Sequence, residues 1–244
     1  MAHGIADEHS DVDLINYYDE LPGRELFATV LRDVGGEEIG NISDLRPESF
    51  ALRYRFDGIE VQTGGQLASD LESRLQRIES GEVDWVTAKV AMGLLEGSAM
   101  HGEALVREWQ ARAKYPEPLR RREVDANLGW FPIWAIDAHL AARDAELFRR
   151  QMLLEGAFKV LAVLSAVNRL YFTTFQFKRA DTHISAMRVK PDRLAERLDR
   201  VADGPPSEAA EELRQLVEET KRIVRGELPE VDVDRSWQPD LRGG

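Results

Sequence analysis

The spacing of apolar residues changes near Gln66, and this change constrains the fold more than any other feature of the chain. Residues 49–56 (SFALRYRF) alternate apolar and polar side chains, which is the pattern of a half-buried β-strand. After Gln66 the apolar residues recur every third or fourth position, which indicates amphipathic α-helices. We therefore expect an α+β protein, with a sheet-bearing domain over residues 1–65, a helical domain over 66–228 and an extended tail over 229–244.

In the first part, short strands surround one helix. The apolar run VDLINYY predicts a buried strand over residues 12–18, and GRELFATVLRDVGG predicts a short helix closed by Gly35 and Gly36. Asp57 and Gly58 are the residues favoured in a two-residue type I′ turn. Residues 59–63 should therefore return beside the alternating strand as a hairpin.

The second part contains several predicted helices. One apolar stripe has helical spacing and consists of Leu67, Leu71, Leu75 and Ile78. Asp84 is the predicted N-cap of the next helix, and residues 207–226 form a final amphipathic helix. A long helical segment is predicted from about Asp125 to Tyr171, with one apolar face composed of Leu147, Leu154, Phe158, Leu161 and Leu164.

The chain is acidic, with a formal net charge of -12. This charge disfavours binding to the phosphate backbone of long nucleic acids, although magnesium could neutralise a bound nucleotide locally, and it favours a cationic small molecule. No apolar run is as long as the roughly 18 residues of a membrane span. The absence of cysteine excludes disulfides and thiolate metal sites. We therefore expect a cytoplasmic protein that has no membrane partner and for which long nucleic acids are disfavoured as partners.

Two aspartates near the start of the sequence, Asp11 and Asp13, are separated by one residue. On a strand this spacing puts both carboxylates on one face, where they repel each other unless a divalent cation lies between them. Glu60 lies between Ile59 and Val61 on the predicted return strand, which could lie beside the strand of Asp13. Three converging acids could hold magnesium and deprotonate a hydroxyl. The alternatives are a solvated acidic turn for the aspartates and an edge-strand glutamate in water.

The segment AHGIADEHSDVDL (residues 2–14) resembles the core motif of the DNA polymerase β-like nucleotidyltransferase superfamily. That motif consists of a Gly-Ser pair, a short loop, Asp-x-Asp and a third acid on a later strand. The segment is most similar to small bacterial members, including aminoglycoside and lincosamide nucleotidyltransferases and minimal nucleotidyltransferase antitoxins. The shared residues are Gly4, Ala6, Ser10, Asp11, Asp13 and Leu14. The resemblance extends to Glu60, and over the helical remainder it is only architectural.

The resemblance implies a nucleotidyltransferase α/β domain followed by an all-α helical domain. Asp11, Asp13 and Glu60 would bind magnesium, and Glu60 would also activate the acceptor hydroxyl. ATP or another nucleoside triphosphate would lose pyrophosphate as its nucleotide passes to an acceptor, which could be a small molecule, a protein or an RNA. The acidic surface favours a small acceptor.

One part of the family motif has no counterpart in this sequence. In the family, the Gly-Ser pair binds the triphosphate through backbone amides and the serine hydroxyl. Here Met1 falls inside the expected loop, so the sequence has no Gly-Ser pair at that place. We hypothesise that the chain is N-terminally truncated, so that the first domain is incomplete and Gly-Ser would directly precede Met1 in the longer protein. An upstream stop codon without an in-frame Gly-Ser would contradict this hypothesis.

A second candidate segment, residues 165–184 (SAVNRLYFTTFQFKRADTHI), places Arg169 and Lys178 among aromatic residues at the end of a long helix. In the family that the chain resembles, the helical domain supplies basic and polar groups to the nucleotide or acceptor. By this resemblance we assign Ser10, Arg169 and Lys178 to triphosphate binding. The alternative is an ordinary helix end, with cations that complement the helix dipole and aromatic residues packed in the core.

The leading expectation is a magnesium-dependent nucleotidyltransferase. The alternative is a non-catalytic relative that no longer binds phosphate and acts as a binding or antitoxin-type interaction protein. The Gly-Ser pair distinguishes the two, because its absence from the expressed protein would favour the non-catalytic function.

Overall fold

The computed structural model describes residues 11–46, 49–234 and 237, and in them the protein has an α+β fold. A four-stranded mixed sheet with one helix comes first. Its elements are β1 (Val12–Tyr18), α1 (Arg24–Asp33), β2 (Glu37–Arg46), β3 (Ser49–Phe56) and β4 (Ile59–Leu67). Nine further helices follow in the described part of the chain: α2 (Ala68–Glu79), α3 (Trp85–Glu96), α4 (Glu103–Arg112), α5 (Glu117–Asn127), α6 (Ile133–Ala141), α7 (Glu146–Val167), α8 (Ala180–Ser185), α9 (Leu194–Asp203) and α10 (Pro206–Glu227). Of these described helices, none is long and apolar enough to cross a bilayer.

The chain divides into two compact units. The sheet unit comprises Met1–Arg77 and Gly93–Arg112, and the helical unit comprises Ile78–Met92 and Ala113–Gly244. Helices α2 and α3 therefore each contribute residues to both units.

The sheet has the strand order β1-β4-β3-β2. Strand β1 runs parallel to β4, whereas β3 is antiparallel to both β4 and β2. Asp57 and Gly58 join β3 to β4 with φ angles of 50° and 80°, as a type I′ turn requires. The predicted hairpin is confirmed, and Glu60 lies on the strand beside the one that carries Asp13.

One face of the sheet is covered by α1. Leu31 of α1 is buried against an apolar cluster from the strands, which consists of Phe50, Leu52, Tyr54 and Val61. The rings of Phe27 and Phe50 are 5.0 Å apart. Phe50 also lies over Gly65, where an added Cβ would come within 2.4 Å of the ring, so this position on β4 has no room for a side chain. The α1 face of the sheet therefore forms the small core of this unit.

In the sheet unit, the end of α1 was predicted from the sequence and strand β2 was not. The helix α1 ends as expected, since the amides of Gly35 and Gly36 donate to the carbonyls of Arg32 and Leu31. Strand β2 was not predicted, because EEIGNISDLR has few β-branched or aromatic residues and includes a glycine. It lies at the edge of the sheet, and its register with β3 is irregular.

Helix α7 is the centre of the helical unit and packs against α5, α6, α9 and α10. The prediction of a single helical segment from Asp125 to Tyr171 was wrong, because α5, α6 and α7 are separate helices and α6 begins after Pro132. The predicted apolar face was also wrong in part: Leu147 is 86% exposed and Leu154 is 42% exposed. Because neighbouring helices enclose α7 on several sides, a single apolar stripe does not describe its buried surface.

Other predicted features of the helical regions are confirmed. Leu71, Leu75 and Ile78 of α2 are buried, although Leu67, the first residue of the predicted stripe, is instead the last residue of β4. The carboxylate of Asp84 accepts a hydrogen bond from the amide of Thr87 at 2.7 Å, as an N-cap should. The final helix over 207–226 corresponds to α10.

Candidate functional site

The sheet face that α1 leaves uncovered carries charged and polar side chains at one end. Val12 pairs with Val61 and Asp13 with Gln62, so the residues of β1 and β4 that share this face follow from the register. We call this surface the open face; its polar residues are Asp11, Asp13, Arg53, Arg55, Glu60 and Gln62. Asp11, Asp13, Arg53 and Arg55 are exposed, and Glu60 and Gln62 are half-buried.

Gln62 links the two carboxylates that come from different strands. Its Nε2 donates to Oδ2 of Asp11 at 2.7 Å and approaches Oε1 of Glu60 at 3.4 Å. A single amide group therefore contacts both acids, which shows that they point to the same space above the sheet. Like charges on neighbouring strands are destabilising unless a donor or cation lies between them, and the Gln62 amide supplies that donor.

Two arginines of β3, which were not among the predicted site residues, extend the open face. Arg55 lies opposite Glu60, and Arg53 lies opposite Gln62, across the antiparallel pair. Arg55 donates to the carbonyl of Gly58, and the side chain of Arg53 is exposed to solvent. A signal was present in the sequence, because the two-residue turn fixes the register of the hairpin and hence the position of both arginines.

The carboxylates of the open face have the chemistry of magnesium ligands, but they do not form a closed cluster. Among the residues that the structure describes, no group of three or more His, Cys, Asp or Glu side chains lies close enough together to hold a metal ion. Magnesium commonly binds through one or two carboxylates, with water and substrate phosphates completing its octahedron. One or two of the carboxylates of Asp11, Asp13 and Glu60 would suffice for a metal that arrives with a phosphate ligand, and a magnesium centre here stays a prediction.

The other end of the open face is covered by α4. The ring of Trp109 packs edge-on against Tyr17 with centroids 5.2 Å apart, and its Nε1 donates to Glu72 at 2.6 Å. Burial raises the pKa of Tyr17. Hydrogen bonds from Arg112 and Trp109 lower the pKa of Glu72, so this carboxylate stays charged. These contacts connect α2 and α4 to β1, and the end of the open face that carries Asp11 and Asp13 stays exposed.

The remaining predicted site residues have separate outcomes. Ser10 lies outside the described residues. Arg169 and Lys178 belong to the helical unit, where Arg169 pairs with Glu117 at 2.7 Å and Lys178 is exposed. Their assignment to triphosphate binding stays a prediction.

The segment around Arg169 is held by structural contacts. Asn168 donates to the carbonyls of Leu164 and Val189 and accepts from the Val189 amide. The hydroxyl of Tyr171 donates to the Ala113 carbonyl at 2.9 Å. These two polar residues of the predicted segment therefore fix the chain after α7.

The chain matches no protein-family model, and it matches no curated protein at a significant level. The resemblance of residues 2–14 to nucleotidyltransferases therefore stays a prediction. The open face is the feature of the described structure that is relevant to this resemblance, because it carries Asp11, Asp13 and Glu60.

Proposed function

We propose that the protein is a magnesium-dependent nucleotidyltransferase and that the open face binds the triphosphate end of its nucleotide substrate. The observation that carries the proposal is the parallel pairing of β1 with β4, which brings Asp11, Asp13 and Glu60 to one exposed sheet face. The contact of both Asp11 and Glu60 with Gln62 supports this arrangement. The three acids lie outside the apolar core of the sheet unit, and a ligand-binding role accounts for their common face better than a structural one does.

Each polar residue of the open face has a function in this proposal. Asp11 and Asp13 would hold magnesium, which would offset the negative charge of the triphosphate and of the transition state. Arg53 and Arg55 would pair with phosphate oxygens, for which the planar guanidinium is suited. Gln62 would keep the carboxylates of Asp11 and Glu60 in place before the substrate binds.

The reaction transfers a nucleoside monophosphate to a hydroxyl. The acceptor oxygen forms a bond to the α-phosphorus, the bond from that phosphorus to the bridging oxygen of pyrophosphate breaks, and pyrophosphate leaves with the bonding electrons. Glu60 takes the proton of the hydroxyl. Because a carboxylate is a weak base for this task, the positions of the reacting groups and the surrounding positive charge must provide most of the rate acceleration.

The acidity of the chain bears on the acceptor. A net charge of -12 repels polyanions and attracts small cations, so we propose a small, cationic, hydroxyl-bearing acceptor rather than a nucleic acid. The absence of cysteine and the need for a nucleoside triphosphate fit a cytoplasmic reaction.

The proposal is tested by mixing the protein with each of the four labelled triphosphates, magnesium and pooled small hydroxyl compounds, and measuring pyrophosphate release. We expect release that requires magnesium and is lost in an Asp11→Asn/Asp13→Asn double variant. Arg53→Ala should weaken triphosphate binding by about tenfold, the loss of one charge-assisted hydrogen bond. Asp33→Asn, an exposed aspartate at the end of α1, is the matched control and should leave release unchanged.

The assay is repeated on the chain preceded by the in-frame sequence upstream of its gene. The proposal fails if neither protein releases pyrophosphate or binds a triphosphate with magnesium. It also fails if the double variant is as active as the original chain while both are folded.

A further inference from the structure

The helical unit contains a cleft that the proposed nucleotidyl transfer does not use. Its volume is about 640 Å³, which is within the range of about 300–1,000 Å³ typical of small-molecule sites. The walls are formed by α5, α7, the start of α3 and the segment that follows α7. All of its lining residues belong to the helical unit.

The spacing of residues along two helices creates this cleft. From α5, Leu119, Glu123 and Asn127 line it at intervals of four residues, so they lie along one side of that helix. From α7, Ala162 and Ala166 line it with the same spacing. Because both of these side chains are small, they leave a space on this side of α7 that larger residues would fill.

Aromatic rings surround the cleft. Tyr115 and Tyr171 line it with ring centroids 4.9 Å apart. At its edge Trp85, which is 54% exposed, packs against Phe175, which is 48% exposed, with centroids 4.6 Å apart. Exposed aromatic pairs beside a cleft provide flat apolar surfaces, and their π faces also attract cations.

Several donors that line the cleft are already used within the protein. Lys159 donates to the Gly129 carbonyl, Tyr171 to the Ala113 carbonyl and Asn127 to the Glu123 carbonyl. These groups have less capacity to bind an anionic or strongly accepting ligand. The cleft therefore favours a ligand that brings its own donors.

The carboxylate of Glu123 is the acceptor available to such a ligand. Its ion-pair partner is Arg122, with N and O atoms 3.6 Å apart, which is beyond a direct hydrogen bond. Burial raises the pKa of Glu123, and burial lowers the pKa of Lys159. A cation that entered the cleft would offset the cost of keeping the Glu123 carboxylate charged in this environment.

The net charge of the lining supports the same conclusion. Asp84, Glu123 and Glu155 contribute carboxylates to the cleft, and Lys159 is the single cation among the lining residues, all of which lie in the described part of the chain. With Arg122, which is not a lining residue but lies 3.6 Å from Glu123, the carboxylates still outnumber the cations by one. An excess of negative charge within a partly enclosed site favours a cationic ligand.

We propose that this cleft binds a small organic amine with a planar apolar body, whose ammonium group contacts Glu123 and whose body packs against the aromatic rings. The proposal does not depend on nucleotidyl transfer by the sheet unit.

The test uses three probes with one planar apolar body and different charges: naphthalene-2-methylamine, naphthalene-2-methanol and naphthalene-2-carboxylate. Isothermal titration calorimetry on the full chain should give a dissociation constant for the amine at least about tenfold lower than for the alcohol or the carboxylate. Glu123→Gln should raise the constant for the amine by about tenfold and change that for the alcohol by less than about twofold. Ala162→Leu should weaken the binding of both, because it fills the cleft.

Matched controls separate binding from folding. Glu108→Gln, at an exposed position of α4, and Ala138→Leu, at an exposed position of α6, should leave all three constants unchanged. Circular dichroism establishes that each variant is folded. The proposal is overturned if no probe binds at about 1 mM, if the three probes bind equally, or if both cleft variants bind the amine as the original chain does.

Discussion

Charged residues have different surroundings in the core of the helical unit and on the open face of the sheet unit. In the helical unit, Arg149 forms hydrogen bonds with both carboxylate oxygens of Asp137, at 2.7 and 3.0 Å, and both side chains are nearly buried. Arg197 similarly joins α9 to Glu212 and Glu219 of α10. These ion pairs connect neighbouring helices.

In the sheet unit, the charges of the open face contribute little to packing. Asp11 and Asp13 are exposed and precede or begin a strand, and Arg53 is exposed on β3. Exposed charges of this kind stabilise a fold by little or nothing. The buried ion pairs of the helical unit are therefore structural, whereas the charges of the open face are accessible to a ligand.

Leu213→Ala should have the largest effect on stability. Leu213 of α10 is fully buried and packs against α7 at Gly156, so its truncation leaves a cavity where the helices meet and costs about 3–5 kcal/mol. Ile15→Ala on the open face is the control, because Ile15 is 51% exposed, and it should change the free energy of unfolding by less than about 0.5 kcal/mol. Urea unfolding measures both, and similar losses in the two variants would contradict an open sheet face.

Asp137→Asn should have the next largest effect. It leaves the buried guanidinium of Arg149 without its main partner, although Glu146 remains 2.8 Å from that guanidinium. Breaking a buried pair in this way should cost about 2–3 kcal/mol. Asp11→Asn removes a similar charge from the open face and should change stability by less than about 0.5 kcal/mol. If Asp11→Asn were the more destabilising variant, the charges of the open face would be structural.

The contribution of Asp137 should also depend on pH. Hydrogen bonds from Arg149 lower the pKa of Asp137 in the folded protein, so the folded state favours the charged carboxylate. The stabilisation is therefore complete above the unfolded pKa of about 3.9 and is lost as pH falls through the lower, folded pKa. The difference in unfolding free energy between the original chain and Asp137→Asn should be largest near neutral pH and should shrink below pH of about 4. A difference that grew on acidification would contradict this assignment.

Local patterns predicted the parts of the fold that depend on neighbouring residues. The alternation over 49–56 and the turn at Asp57 and Gly58 gave the hairpin, and Asp84 marked the start of α3. The failures have a common physical cause. Leu147 and Leu154 of α7 are exposed because no other described helix packs over them, and β2 forms because it can pair with the free edge of β3. Neither outcome follows from local spacing.

The candidate site was predictable only in part for the same reason. Asp11, Asp13 and Glu60 were identified by residue type and by resemblance, and their common face depends on a parallel pairing between distant strands. Arg53 and Arg55 follow from the register of the hairpin, but they were treated as ordinary solvent-facing residues of an alternating strand. Four segments that are distant in sequence form the cleft of the helical unit, so no local sequence pattern could have predicted it.

The smallest predicted effect concerns two glycines, one from each unit. Gly58 has a φ of +80° in the hairpin turn, a conformation that costs other L-residues about 1 kcal/mol or more, so Gly58→Ala should destabilise the protein by about 1 kcal/mol. Gly226 lies in α10, where an added Cβ would meet no atom within 4 Å. Because glycine is the poorer helix former, Gly226→Ala should stabilise the protein by about 0.5 kcal/mol.

The two replacements are expected to change the free energy of unfolding in opposite directions, so their effects can be told apart. Both replacements add one methyl group, so a general effect of the methyl group on the unfolded chain would move both proteins in the same direction. The Gly58→Ala loss should appear as faster amide hydrogen exchange in β3 and β4, while Gly226→Ala should slow exchange at the end of α10. If Gly58→Ala left exchange in the hairpin unchanged, the type I′ turn that sets Arg55 opposite Glu60 would be wrong, and the arginine side of the open face would be wrong with it.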